Sequence, residues 1–153
     1  MALYLVQHGR SLPRESDAEQ GLSSEGIAQV ERIAGVARGY RVRVSKILHS
    51  GKKRARQTAD IYGGFLEPAG GIEECAGLNP MDDVSSFAGR VRGDENLMVV
   101  GHLPFMEKLT SHLVAGSVER RVFKFQNGGI VCLDKEAGDR YWFIKWTLMP
   151  EIG

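Results

Sequence analysis

Three histidines close apolar runs that lie far apart in the chain. His8-Gly9 follows ALYLVQ (2–7), His49-Ser50 follows VRVSKIL (42–48), and Gly101-His102 follows NLMVV (96–100). A neutral imidazole is a competent nucleophile and proton carrier near neutral pH. One histidine at a strand end is ordinary structure. Two from separate strands, each beside a glycine that lets backbone approach closely, point to a shared site. His8 and His102 are therefore the candidate pair, and His49 reads as a strand terminator.

Charge is the second chemical signal. Eight Lys and Arg residues fall between Arg38 and Arg56 with no acid among them, whereas seven Asp and Glu residues lie between positions 67 and 95. Arg54 stands out because it falls in the first turn of a helix directly after a strand end. There a guanidinium fork and free backbone N–H groups can face one anion. Imidazoles beside such a fork suit phosphoryl transfer, in which nitrogen attacks phosphorus and positive donors hold the oxygens that gain charge. This chemistry requires neither metal nor cofactor. A zinc site built from the histidines with Asp82 or Asp83 lacks any HExxH-type spacing or cysteine pair.

The elements that must position these groups alternate. Residues 2–7 read as a buried strand. Ser23 or Ser24 caps a helix with Ile27, Val30, Ala34 and Ala37 on its apolar face and Gly39 as its stop. Val42, Val44, Ile47 and Leu48 give a second strand, and residues 52–62 a second helix ended by Gly63-Gly64. The stretch 65–78 reads as a loop with at most one short strand. Val84, Phe87 and Val91 predict a further helix, 96–100 a central strand, and Pro104 the first turn of a helix carrying Phe105, Leu109 and Leu113. IVCLD (130–134) and YWFIKWTL (141–148) form a hairpin about KEAGD. The expected fold is α/β: a three-layer sandwich with a mostly parallel central sheet, helices on both faces and antiparallel C-terminal strands. Ligands of such sheets bind beyond the carboxyl ends of the strands.

Composition bounds the rest. The chain has 153 residues, 42% hydrophobic and 25% charged, with a formal charge of +1. One domain over 1–153 is expected, with no overall field to draw nucleic acid or an anionic membrane. No window approaches the ~18 apolar residues of a membrane span, and there is no basic leader before the first strand. Cys75 and Cys132 read as buried thiols, and the expected location is cytoplasmic.

The motifs QHGR (7–10), LSSEG (22–26), SGKKRARQT (50–58), LNPMDDV (78–84) and VVGHLP (99–104) together resemble the histidine phosphatase superfamily (phosphoglycerate mutase-like), and within it the short SixA-type phosphohistidine phosphatase branch. The resemblance spans most of the chain in the family's order. It implies that His8 is a transiently phosphorylated nucleophile, that His102 is the second histidine of the phosphate pocket, and that Arg54 clamps phosphoryl oxygens. It departs at Gln7, where the family has arginine. Glutamine keeps an amide donor but has no charge, and loss of one preorganised donor can cost roughly 10²–10³ in turnover. Arg10 is the nearby arginine that can swing into that place. So Gln7, Arg10, Arg54 and His102 are the expected phosphate ligands, with Asp82, Asp83 and Glu74 as candidate general acids.

The implied substrate is a phosphorylated protein, such as a histidine phosphotransfer domain or carrier. Short length and the absence of an assigned acid favour an imidazole leaving group, which departs more readily than an alkoxide. Two alternatives stand beside it: a small phosphate ester hydrolysed by the same mechanism, and a phosphate- or phosphoprotein-binding module disabled by Gln7.

Overall fold

Strands β1 (Leu3–Gln7) and β4 (Leu97–Gly101) are buried along their whole length. That is why both read as mostly apolar runs: each lies inside a sheet covered on both faces. The computed structural model describes residues 1–152. Around these two strands run α1 (Ser24–Gly39), β2 (Lys46–His49), α2 (Lys53–Leu66), β3 (Ile72–Glu74), α3 (Val84–Ala88), α4 (Phe105–Ala115), β5 (Ile130–Asp134) and β6 (Phe143–Leu148).

The sheet has the order β3-β2-β4-β1-β5-β6. Its first four strands are parallel, and β5 and β6 add antiparallel pairings. The chain moves outward from β1 to β2 and β3 through α1 and α2, then returns through α3 to insert β4. Right-handed crossovers in opposite directions put their helices on opposite faces. One core layer accordingly joins Tyr4, Val6, Met98 and Val100 to α1 and α2 through Val30, Ala34, Ala59 and Tyr62. The other joins Leu3, Leu5 and Val99 to α3 and α4 through Phe87, Phe105 and Leu109. Odd and even residues of β1 and β4 thus serve different layers, as the period of two requires. Each fully buried aliphatic side chain of these layers contributes about 1.5–3 kcal/mol. No helix among the described residues is long and apolar enough to cross a membrane.

Several elements differ from the sequence expectation. Helix α2 does not stop at Gly63-Gly64 but continues to Leu66. Gly63 is a packing glycine: a Cβ there would stand 2.4 Å from Ile72 Cδ1 on β3. The helix ends instead at Glu67, whose φ of 48° is left-handed. Strand β2 begins only at Lys46, so Val42 and Val44 precede the ladder. Helix α3 has five residues and leaves Val91 outside it. Strand β6 starts at Phe143; Trp142 is buried before it, and its N–H bonds Leu113 O at 3.0 Å. Ile27 is exposed, so the buried side of α1 is formed by Gly26, Val30, Ile33, Ala34 and Ala37. Cys132 is buried but Cys75 only partly so.

Candidate active site

The register of the parallel strands brings the site together. Gln7 lies opposite Gly101, and His49 opposite Val100, so β1, β4 and β2 end nearly level. His8, His102 and Ser50 therefore leave the sheet together at the carboxyl ends of three neighbouring strands, where β4 lies between β1 and β2, the place where ligands of such sheets bind. The His8 and His102 rings stand 5.0 Å apart between centroids, tilted by 50°.

His8 is held by its backbone on three sides. Its N–H bonds Gly101 O at 3.0 Å, and Asn127 Nδ2 donates to its carbonyl at 2.9 Å. The next N–H, that of Gly9, donates to Thr58 Oγ1 on α2 at 2.9 Å. Thr58 in turn donates to Arg54 O at 2.8 Å, so the same residue ties the histidine loop to the helix turn bearing Arg54. Nearby, Gln57 Oε1 accepts from Leu22 N at 2.7 Å and fixes the far end of that loop.

The ring of His8 has a defined tautomer. Nδ1 lies 2.6 Å from Gly9 O, and a carbonyl can only accept, so Nδ1 carries the proton and Nε2 keeps its lone pair. Burial drives the His8 pKa down to about 4, with the Arg54 charge acting in the same direction. The imidazole is neutral at physiological pH, as a nitrogen nucleophile must be.

His102 is buried, at 2% exposure. Its Nε2 and Ser50 Oγ share a hydrogen bond of 2.6 Å. Its Nδ1 is buried with no partner among the described residues. Burial, then His8, Arg54 and Lys52, push its pKa down to about 3. The charges of Arg54 and Lys52 therefore reach this ring. The segment between Ser50 and α2 depends on Gly51: its φ is +91°, and a Cβ there would fall 1.8 Å from Glu74 Oε1. Lys52 occupies the N-cap of α2 without a side-chain cap, which leaves the helix N-terminus open to an anion.

The other predicted residues are placed as follows. Gln7 is buried at 9% exposure, and its Oε1 has no hydrogen-bond partner among the described residues. Arg10 does not fill the position that Gln7 leaves without charge. Its guanidinium bonds Glu25 at 3.1 Å and Glu151 at 3.2 Å, and it lines a separate hollow with Gln29 and Asn127. Asp82 accepts from Asn79 N at 2.8 Å. Asp83 caps α3 through Ser85 and Ser86, bonds that hold its carboxyl below the usual range. Both carboxylates are thus engaged in turn and cap. Glu74 is the candidate acid beside the site, packed on Gly51. His49 is buried and its Nδ1 accepts from Gly51 N at 3.1 Å, a local bond that shapes the turn.

Residues that the sequence reading did not single out are Thr58, Asn127 and Lys52, together with Ser50 as a partner of His102. Ser50 and Thr58 lie in the quoted SGKKRARQT segment, so the motif contained the signal but not the partners. Asn127 had no sequence signal; its contact spans 119 positions.

The site's likenesses to known proteins agree with its geometry. The model of a family described as the histidine phosphatase superfamily (branch 1) matches residues 3–90, the segment from β1 through α3. Phosphohistidine phosphatase SixA of Escherichia coli (strain K12) is 26% identical over 156 residues, covering 98% of this chain and 94% of that protein. A structure of the protein histidine phosphatase SixA complexed with tungstate superposes with a TM-score of 0.85 at 23% identity, covering 98% of this chain and 97% of that one. The α-ribazole phosphatase from Shigella flexneri has the same fold, with a TM-score of 0.79 at 16% identity over 100% of this chain and 98% of that one.

Proposed function

The chain belongs to the histidine phosphatase superfamily, and from that premise we propose that it is a phosphohistidine phosphatase that works through a phosphorylated His8. The observation that carries the reading is the His8 tautomer: Nδ1–H is committed to Gly9 O, and the free Nε2 belongs to a ring 5.0 Å from His102 and under the charge of Arg54.

The phosphoryl group approaches the Nε2 edge of the His8 ring, with the His102 ring alongside it. The Nε2 lone pair attacks phosphorus in line, the bond from phosphorus to the substrate's imidazole nitrogen breaks, and that imidazole leaves with its electron pair and a proton. Arg54, the open N–H groups of α2 and the Gln7 amide hold the equatorial oxygens, where preorganised donors count most. Water then attacks the phosphoryl group on His8, the P–N bond breaks toward Nε2, and phosphate departs. His102, kept neutral and oriented by Ser50, lies against the transferring group and donates a hydrogen bond to one of its oxygens. An imidazole leaving group can be protonated on its far nitrogen before cleavage, so the step needs little from a general acid. This suits a site where Asp82 and Asp83 are engaged elsewhere.

The test incubates the protein with a phosphohistidine-bearing phosphotransfer domain and with simple phosphomonoesters, and looks for phosphate on the enzyme that is labile to acid and stable to base. Turnover of the phosphohistidine protein with an adduct abolished by His8→Ala is expected. Turnover of esters alone would support a small-molecule phosphatase, consistent with the fold shared with an α-ribazole phosphatase. A second reading, a binding module without turnover, is favoured by the uncharged Gln7; it requires phosphate binding with no adduct.

A further inference from the structure

At the start of α2 lies a hollow of about 380 Å3 whose wall carries five cations and one carboxylate, that of Glu19. Arg14 reaches it from the loop after β1, and Lys52, Arg54 and Arg56 from the start of α2. Lys53 also borders it but is paired with Asp17 at 2.9 Å and Glu19 at 3.9 Å. The other four cations enter no ion pair among the described residues. The chain's formal charge is only +1, so this concentration is local.

Like charges gathered round one hollow repel each other unless an anion lies between them. Burial and the neighbouring Arg14 charge both lower the Arg54 pKa. Arg54 lines this hollow and its charge also reaches both His8 and His102, so the hollow and the phosphoryl site share that residue. Arg14, Lys52 and Arg56 are exposed, so the outer wall is a spread rim. A compact small phosphate calls for a concave site that surrounds it. A rim of separated, solvent-facing cations suits carboxylates carried on a length of polypeptide.

We propose that this hollow is a second subsite that receives an acidic segment flanking the phosphorylated side chain of a protein substrate, with Arg14 and Arg56 as its outer contacts and Arg54 shared with the phosphoryl group. The inference rests on the phosphoryl-transfer reading of His8 and His102. Through it, selection among phosphoproteins follows the charge next to the modified residue, and it weakens with ionic strength because the contacts are exposed.

The experiment measures binding of two peptides that carry a non-hydrolysable phosphonate analogue of phosphohistidine, one flanked by Asp and the other by Asn. The wild type should bind the Asp peptide about three- to tenfold more tightly at low salt, as two exposed ion pairs allow. The double variant R14Q/R56Q should bind both peptides alike, with its affinity for the Asn peptide unchanged. Circular dichroism melting checks that it folds, and R14E should reverse the preference. Equal binding by the wild type, or a preference that survives R14Q/R56Q, would overturn the proposal. So would inorganic pyrophosphate binding more tightly than the Asp peptide through the same two arginines, the mark of a bisphosphate site. Hydrolysis of a phosphohistidine protein is followed in parallel. A charge preference without turnover would sink the phosphatase reading and leave the subsite standing; turnover without the preference would do the reverse.

Discussion

Mild acid should destabilise this protein through the buried pair His8 and His102 before its carboxylates lose their charge. In an unfolded chain His8 takes up a proton near its ordinary pKa of 6.5, whereas in the fold burial holds it down to about 4. Above pH 6.5 both states are neutral and the residue contributes nothing to the pH dependence. Between pH 6.5 and 4 the unfolded state binds more protons, so stability falls as the pH falls, by up to about 1.4 kcal/mol per pH unit. Over the 2.5 units between the two values, the loss reaches at most about 3 kcal/mol. This is a large share of the 5–15 kcal/mol typical of a domain. His102, lowered to about 3, adds a loss of the same sign. The low-lying carboxylates act later: Asp17 is held down to about 2 by Lys53 and by the Gly21 and Glu19 N–H groups. Urea unfolding of wild type and His8→Asn at pH 7, 5.5 and 4.5, at fixed ionic strength, isolates the His8 share. The variant should lose distinctly less stability across the window, and the His8 Nε2 chemical shift in the wild type should stay that of an unprotonated nitrogen down to about pH 5. Parallel stability profiles, or a His8 titration near 6.5, would refute the argument that burial keeps this imidazole neutral.

Three further outcomes follow from the same contacts. Thr58→Val keeps the shape but leaves the buried Gly9 N–H without its acceptor; a loss of about 1–3 kcal/mol is expected, roughly 2–4 °C in melting temperature per kcal/mol, together with slower turnover. Gly51→Ala puts a methyl onto Glu74 at a backbone φ of +91°, and should destabilise the fold by more than about 1 kcal/mol and lower turnover by shifting Ser50 and Arg54. Gln7→Arg restores a guanidinium beside His8 and should raise turnover, by up to roughly 10²–10³; unchanged turnover in a folded variant would show that Lys52 and Arg54 already supply the needed charge.

Much of the architecture was legible because its signals are local. Mostly apolar runs at 2–7 and 96–100 announce strands buried on both faces, and the His8-Gly9 and Gly101-His102 breaks after them announce their ends. The hairpin of β5 and β6 is written in two apolar runs about KEAGD. Boundaries were harder wherever a distant contact overrode a local preference. Gly63 reads as a helix stop in isolation, but its missing side chain is what admits Ile72 of β3, so the helix continues.

The site divides along the same line. Residue type and strand-end position were enough to nominate His8, His102 and Arg54, since an imidazole or guanidinium carries its chemistry wherever it stands. Which nitrogen of His8 is free, that Arg10 is held by Glu25 and Glu151, and that Ser50, Thr58 and Asn127 hold the histidines were decided only by the folded chain. Those contacts join residues 15 to 141 positions apart, or turn on a single backbone carbonyl. Strand register and helix placement set them, and neither is a property of any one stretch of sequence.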